Sequence, residues 1–341
     1  MKIGDIDLGN MPLLLAPMED VTDRSFRHIC KRFGADMVYT EFVNSDALVR
    51  DVAHSKEKMV IDPGERPIGV QIYGSDIDAM VEAARIAEQA GPELIDINFG
   101  CPVRKIAGRG AGSGMMKDVP KMVEMTARIV QAVKLPVTVK TRLGWDDENR
   151  NIEDIVLRLQ DVGIAAITIH GRTRAQMYRG EADWTLIGRV KNDPRVTIPV
   201  IGNGDINSGP KAKEMADRYG VDGLMIGRAT FGRPWIFSEI KYFLEHGREM
   251  PQPTVLERVA LAREHLDISV ATKGERTGVL EMRRHMSCYF KGLPDFKQTR
   301  IKLVTDPTRD GVVEILGYIG AKWGDYDATS IEPSSVYDKQ L

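Results

Sequence analysis

The chain has 341 residues, of which 43% are hydrophobic and 28% are charged, and its formal net charge at pH 7 is -2. This length predicts one large domain followed by a smaller one. The balanced charge excludes a globally basic protein, so any nucleic-acid-binding surface has to be a local patch. Three widely spaced cysteines without a Cys-x-x-Cys pair argue against a disulfide framework and a zinc site, and we expect no metal.

The N-terminal segment does not have the pattern of a targeting sequence. Its first twenty residues contain one short apolar patch, residues 11–16, with acidic residues on both sides. This patch is too short for a secretion signal or a membrane span, so we expect a cytoplasmic protein. The sequence does not indicate an oligomeric state.

Eight short apolar runs alternate with longer amphipathic stretches. We predict strands over 13–18, 37–42, 68–73, 94–98, 137–142, 166–170, 200–202 and 223–226. We predict helices between them over 76–90, 119–133, 152–162, 183–190 and 210–219. Eight strand–helix alternations over about 230 residues match the α/β fold of a (β/α)8 TIM barrel. The alternative is an open doubly wound sheet, which usually has fewer strands and a glycine fingerprint after the first.

The strand pattern stops after Trp235, and Pro251 and Pro253 mark a boundary. Helices are predicted beyond it over 255–272, 278–291, 296–304 and 311–319. We therefore expect three parts, which are a barrel domain (1–245), a small all-helical C-terminal domain (246–323) and a loosely ordered tail (324–341).

In a barrel of this kind the chemistry lies at the C-terminal ends of the strands. These ends are rich in glycines and in residues with amide or cationic side chains. The residues are Gln71, Asn98, Lys140, Arg142, His170, Arg172, Asn203, Gly204, Gly227 and Arg228. Glycine-containing turns after the last two strands commonly bind a phosphate group through backbone N–H groups. Arg228 can add a fork of donors there, so the sequence predicts a phosphate-bearing cofactor.

Cys101 follows the apolar run 94–98 in a Gly-Cys-Pro turn. A cysteine considered alone is more often a small buried structural residue. The position of Cys101 at the mouth, among the polar strand ends, favours a reactive thiol. Cys30 and Cys288 lie on helical stretches with apolar neighbours, and we expect both to be structural.

Five motifs occur in order along the barrel, and they are APMEDVTD (16–23), NFGCP (98–102), KTR (140–142), HGRT (170–173) and GNGDI (202–206). Together they resemble the flavin-dependent tRNA-dihydrouridine synthases, from about residue 12 to 237, and their spacing is closest to the bacterial B branch. The later runs RRH (283–285) and YFKG (289–292) resemble the helical RNA-binding domain of that family.

This resemblance implies FMN as cofactor, NADPH as reductant and a D-loop uridine of tRNA as substrate. It implies that FMN contacts Pro17, Met18, Glu19, Gln71, Lys140, His170, Asn203, Gly204, Asp205, Gly227 and Arg228. It assigns uridine or RNA contacts to Asn98, Arg142, Arg172, Lys105, Arg283 and Arg284. Cys101 is then the proton donor to carbon 5 of uracil, while hydride from the reduced flavin goes to carbon 6. A thiol is mostly protonated at neutral pH and can act as this acid.

The chain departs from the family pattern where Glu19 and Asp20 replace the usual Ala-Gly, which puts carboxylates near the flavin edge. Three alternatives stay open. Lys140 could be a Schiff-base or structural lysine. The protein could be a barrel flavoenzyme for a small molecule, or an RNA-binding protein without catalysis. The cluster Arg104, Lys105 and Arg109 beside Cys101 favours an RNA substrate.

Overall fold

The computed structural model of the protein describes residues 1–328. The predicted tail, 324–341, lies largely outside the described residues. Its first residues pack on the preceding helix, because the Tyr326 N–H donates to the Trp323 carbonyl oxygen and Ala328 is buried.

Eight of the eleven strands in residues 1–328 are parallel and form the barrel, as predicted. The strands in chain order are β1 (Lys2–Ile3), β2 (Ile6–Asp7), β3 (Leu13–Leu15), β4 (Val38–Tyr39), β5 (Val43–Asn44), β6 (Ile68–Tyr73), β7 (Leu94–Asn98), β8 (Val137–Arg142), β9 (Ala166–His170), β10 (Val200–Asn203) and β11 (Gly223–Ile226). The barrel follows the order β3-β11-β10-β9-β8-β7-β6-β4, and a parallel bridge from Leu14 to Met37 closes it. The open-sheet alternative is therefore wrong.

Two short pairings were not expected from the sequence. Strands β1 and β2 form an antiparallel hairpin at the N-terminus, and β5 pairs with the end of β6. Both involve strands of two residues, which are too short to show a periodicity in the sequence.

The helices are α1 (Arg24–Arg32), α2 (Ser45–Val49), α3 (Ala53–Glu57), α4 (Ile77–Gln89), α5 (Arg104–Ala107), α6 (Val119–Ala132), α7 (Ile152–Asp161), α8 (Thr185–Asn192), α9 (Gly209–Tyr219), α10 (Ile236–His246), α11 (Val255–Lys273), α12 (Glu275–Tyr289), α13 (Lys297–Thr305) and α14 (Arg309–Trp323). Side-chain caps start several of them. Asp23, Asp76 and Thr254 each accept a hydrogen bond from a backbone N–H of the first turn. Within residues 1–328 no helix combines the length and apolar character needed to cross a membrane.

Strand register brings the polar strand ends together. Every residue of β7 and β9 is buried, as expected for parallel strands covered on both faces. Asn98 pairs with Lys140, and His170 lies between Arg142 on one side and Asn203 on the other. Residues distant in sequence thus become neighbours at one end of the barrel.

The C-terminal helical region, α11 to α14, has its own apolar core. That core includes Leu266, Met286, Tyr289 and Leu316, and Ile29 of α1 joins it from the barrel. Arg32 and Glu264 form an ion pair across the contact at 2.8 Å. The predicted boundary at residue 245 falls in the last turn of α10, and the division into domains stays a prediction.

Candidate active site

A large cavity of about 1590 Å³ opens at the C-terminal ends of the barrel strands. The sequence-predicted residues that line it are Pro17, Met18, Glu19, Asn98, Cys101, Lys140, Arg142, His170, Asn203, Gly204, Asp205, Gly227, Arg228 and Arg284. Gln71, Arg172, Lys105 and Arg283 were also predicted as contacts, and the structure places them outside the lining.

The Cys101 thiol is held in a turn that Asn98 shapes. Asn98 Oδ1 accepts hydrogen bonds from the backbone N–H groups of Gly100 (3.0 Å) and Cys101 (2.8 Å). Ser113 donates from its Oγ to the Cys101 carbonyl oxygen at 2.7 Å. The cysteine is 8% exposed, and burial raises the pKa of its thiol although Arg142 and Lys140 oppose the shift. The thiol therefore stays protonated at neutral pH and can donate a proton.

Gln71 lies beneath the cavity floor. It is 0% exposed, its Nε2 donates to Asp96 Oδ2 at 2.5 Å, and its Oε1 accepts from Asn98 Nδ2 at 2.8 Å. Burial raises the pKa of Asp96 to about 6, while Thr138 and Gln71 oppose this by hydrogen bonding. This network orients Asn98 and hence the cysteine turn. A carboxylate in the middle of the apolar run LIDIN is the signal that could have revealed Asp96.

Lys140 and His170 extend the cavity floor from Asn98 along the next two strands, β8 and β9. Lys140 Nζ donates to Asn203 Oδ1 at 3.1 Å, and Asn203 Nδ2 donates to the Met225 carbonyl oxygen at 2.8 Å. Burial, and next the neighbouring Arg142, lower the pKa of Lys140 to about 8. Burial and the surrounding cations hold the pKa of His170 well below its usual range, so this imidazole is neutral.

One carboxylate serves two guanidinium groups at the end of β10. Asp205 accepts from Arg172 at 2.9 and 2.7 Å and from Arg228 at 2.9 Å. Within residues 1–328, Lys140 and Arg142 form no ion pair with a carboxylate. Cationic side chains in excess of carboxylates give this part of the cavity a positive charge that suits an anionic ligand.

The turn after β10 has the conformation expected for close approach of a ligand to the backbone. Gly204 has a φ of +126°, and a Cβ there would lie 2.7 Å from the Ala182 Cβ. Only glycine fits this position. Trp184 Nε1 donates to the Gly204 carbonyl oxygen at 3.1 Å and fixes the turn.

The carboxylate of Glu19 at the cavity edge is paired, which the sequence did not reveal. Lys58 donates to Glu19 Oε1 at 2.5 Å, and Glu41 accepts from the Asp20 N–H at 2.6 Å. Burial raises the pKa of Glu41 to about 7. Lys58 therefore offsets part of the negative charge that replaces the expected small residues.

Tyr178 is a cavity residue that sequence reasoning missed. Its ring lies 5.5 Å from the Arg142 guanidinium carbon and 5.1 Å from that of Arg228, within cation–π range. Tyr178 lies in the long segment between β9 and α8, where the sequence has no periodic apolar pattern that could predict which side chains face the cavity.

The basic residues expected to contact RNA fall into two groups. Arg284 lies at the cavity rim, where its Nη1 donates to the Glu19 carbonyl oxygen at 3.3 Å. Arg283 instead donates to the Thr305 carbonyl oxygen at 3.4 Å. Lys105 is exposed on α5, and its neighbour Arg104 lines the cavity. Successive helical residues point about 100° apart, which explains both separations.

Arg142 is bound to backbone oxygens on two sides of the cavity. Its Nε donates to Gly100 at 2.7 Å, and its Nη1 donates to Thr173 at 3.0 Å and Met177 at 2.7 Å. It therefore links the cysteine turn to the segment after β9. These hydrogen bonds give Arg142 a positioning role in addition to the predicted contact with substrate.

Replacing Arg142 by Met should destabilise the protein strongly. Three carbonyl oxygens lose their donor, and each buried unsatisfied group costs about 1–3 kcal/mol. We expect a loss of about 3 kcal/mol in the free energy of unfolding, measured by urea denaturation. Arg158→Met is the control, since Arg158 makes an exposed ion pair with Asp154 that contributes about 0.5 kcal/mol. Equal losses for the two variants would contradict this role of Arg142.

Comparison with known proteins agrees with this architecture. Residues 14–311 match the model of the dihydrouridine synthase family. The chain is 44% identical to the tRNA-dihydrouridine synthase B of Vibrio vulnificus over 85% of this chain and 89% of that protein. It is 42% identical to a probable tRNA-dihydrouridine synthase of Rickettsia prowazekii over 90% of this chain and 94% of that protein.

Among solved structures, a 2-naphthoyl-CoA reductase complex superposes with a TM-score of 0.56 at 14% identity. The superposition covers 73% of this chain and 52% of that one, and it shows a shared barrel fold. Because the family model and these relatives each match most of the chain, the chain belongs to the dihydrouridine synthase family.

Proposed function

We propose that this protein is an FMN-dependent tRNA-dihydrouridine synthase of the B branch that acts in the cytoplasm on a D-loop uridine. NADPH would be the reductant. The observation that carries the proposal is the buried, protonated thiol of Cys101 in the same cavity as Lys140, Arg142 and Arg228. Of these three cations only Arg228 forms an ion pair within residues 1–328, and it shares the Asp205 carboxylate with Arg172. A proton donor and an anion-binding site in the same cavity are suited to an enzyme that reduces a base held next to a phosphate-bearing cofactor.

The residues of the cavity fit FMN. Arg228 and the Gly204 turn offer donors to its phosphate, in agreement with the excess of buried cations and the +126° φ of Gly204. Lys140, Asn203 and neutral His170 would lie along its ring system. Reduced FMN supplies the hydride that carbon 6 of the uracil receives.

The chain's own residues would complete the reaction. Asn98 and Arg142 hold the Cys101 turn, so that the thiol can donate its proton to carbon 5 as the carbon–carbon double bond is reduced. Lys140 would stabilise negative charge that develops on the ring system. The uridine has to leave its stack to enter the cavity, which is easiest in a tRNA loop.

A small-molecule oxidoreductase is the second candidate. Two exposed cationic side chains, Arg104 and Arg284, line the cavity, and Arg284 comes from the C-terminal helical region. Such cations can bind the phosphates of a nucleic acid, which favours tRNA.

The deciding experiment incubates the purified protein with FMN, NADPH and tRNA from a strain that lacks the gene. We expect a flavin absorption spectrum and dihydrouridine at a D-loop position, mapped by mass spectrometry. Reduction of free pyrimidines with no product in tRNA would support the second candidate. Failure to bind FMN would contradict the proposal.

Replacing Arg284 by Ala should weaken tRNA binding. Loss of one phosphate contact lowers the salt-dependence slope of the association constant by about 1, with about a three- to tenfold loss of affinity. The comparison variant is Arg283→Ala, because Arg283 does not line the cavity and instead donates to the Thr305 carbonyl oxygen within the helical region. Both are measured by filter binding at several salt concentrations. Equal losses would contradict the assignment of Arg284 alone to RNA.

A further inference from the structure

The cavity wall formed by residues 17–23 is held partly from outside the barrel. Asp20 in this turn has a φ of +57°, a left-handed conformation that costs a non-glycine residue free energy. Contacts within the turn oppose this cost, since Thr22 Oγ1 accepts from the Met18 N–H at 2.9 Å. Further support comes from α11 and α12.

His285 on α12 reaches the turn directly. Its Nε2 lies 3.4 Å from the Val21 carbonyl oxygen, and the residue is 2% exposed. A carbonyl oxygen can only accept, so Nε2 carries the hydrogen and Nδ1 the lone pair. Nδ1 is buried without a hydrogen-bond partner among the described residues.

The surroundings keep His285 in place and neutral. The Phe26 ring lies 4.3 Å from its ring and the His265 ring lies 4.7 Å away. The charged groups that face it are Asp23, Lys273 and Arg284, and Lys273 forms an ion pair with Asp23 at the end of the turn. Burial lowers the pKa of His285 to about 4, so its imidazole is neutral at pH 7.

We propose that His285 is a positioning residue that holds the turn 17–23 in its ligand-binding conformation through the Val21 carbonyl group. The inference rests on the proposed function, because Pro17 and Met18 in this turn would contact FMN. His285 does not line the cavity, and its effect passes through the backbone of the turn. The C-terminal helical region thus helps to form the flavin site as well as to carry RNA contacts.

A matched pair of variants tests this proposal. The side chain introduced by His285→Gln extends an amide nitrogen as far as the histidine Nε2, whereas the shorter side chain introduced by His285→Asn does not reach Val21. We expect His285→Asn to raise the FMN dissociation constant about fivefold and His285→Gln to stay within about twofold of wild type. Quenching of FMN fluorescence by the full chain without tRNA gives these constants.

The control is Ser269→Ala, which removes a buried hydrogen bond that the Ser269 hydroxyl donates to the Gly278 carbonyl oxygen at 3.2 Å within the helical region instead of to the turn. Equal FMN affinities of the Asn and Gln variants at position 285, or an equal loss in Ser269→Ala, would overturn the proposal. Wild-type protein that does not bind FMN would instead contradict the proposed function.

A measurement on the wild-type chain does not depend on the folding of any variant. Nitrogen-15 chemical shifts of His285 should show a protonated Nε2 and a bare Nδ1. The opposite tautomer could not donate to Val21 and would also overturn the proposal.

Discussion

Cys101→Ala should bind FMN and still oxidise NADPH, while dihydrouridine formation falls by about 10²- to 10⁴-fold, the usual contribution of a general acid. Hydride can still be supplied, but no group replaces the proton at carbon 5. Truncation to Ala removes one sulfur atom and leaves the Asn98 and Ser113 hydrogen bonds, which involve the backbone, unchanged. Single-turnover reduction of tRNA, with the bound flavin already reduced, measures this step.

The matched control is Cys288→Ala. Cys288 is half-buried on α12 and does not line the cavity, and its Sγ lies 3.6 Å from Ser287 Oγ. We expect this variant to keep the wild-type rate. A wild-type rate in Cys101→Ala as well would remove the acid role from Cys101.

The pH dependence provides a second check on the thiol. Because burial raises the pKa of Cys101 above its ordinary value, the wild-type proton-transfer step should persist at neutral and mildly alkaline pH. The rate of this step should decline only at a pH above the range in which an ordinary thiol loses its proton. The residual activity of Cys101→Ala should not show that decline.

Lys140→Met should reduce the rate of flavin reduction by NADPH by about 10²-fold, comparable to the removal of one preorganised donor at a site of developing charge. The side chain keeps its length but loses its charge and its hydrogen bond to Asn203. Stopped-flow spectroscopy at the flavin absorption band measures the rate. Lys134→Met is the control, since Lys134 is exposed at the other end of β8.

The charge on Lys140 also sets the direction of a pH effect. Its pKa in the folded protein is about 8, below the ordinary value of 10.5, so its ammonium group is lost as the pH rises through 8. The unfolded chain binds the proton more tightly, so the charged lysine costs stability below about pH 8. Lys140→Met should therefore keep or raise the melting temperature at pH 7 while it loses activity. A lower melting temperature would indicate a structural role for Lys140.

The barrel could be predicted because its strands are covered on both faces. Continuous apolar runs such as Leu94–Asn98 and Ala166–His170 have the same bounds in sequence and structure. Most polar residues at the strand ends line the cavity, since a parallel barrel brings all the C-terminal ends to one mouth. The four helices of the C-terminal region were also predicted, although α12 begins three residues earlier and α14 ends four residues later than expected.

Contacts within the mouth could not be predicted. Gln71 lies two residues before the end of β6 and faces Asp96 beneath the floor, while Asn98 ends β7 and reaches the Cys101 turn. Asp205 is predicted to contact the cofactor and lines the cavity, but its ion pairs with Arg172 and Arg228 could not be predicted. These differences depend on side-chain direction and on partners that are distant along the chain.

The barrel and the family could be identified without coordinates, and Cys101 could be placed at the candidate site, because these inferences depend on local periodicity and on motifs of a few residues. The folded arrangement was needed to learn which polar groups face the cavity, how its excess of cations arises and that His285 contacts the turn at Val21. Such contacts form between segments as much as 265 residues apart. Their geometry is set by how helices pack on the barrel, which no short stretch of sequence encodes.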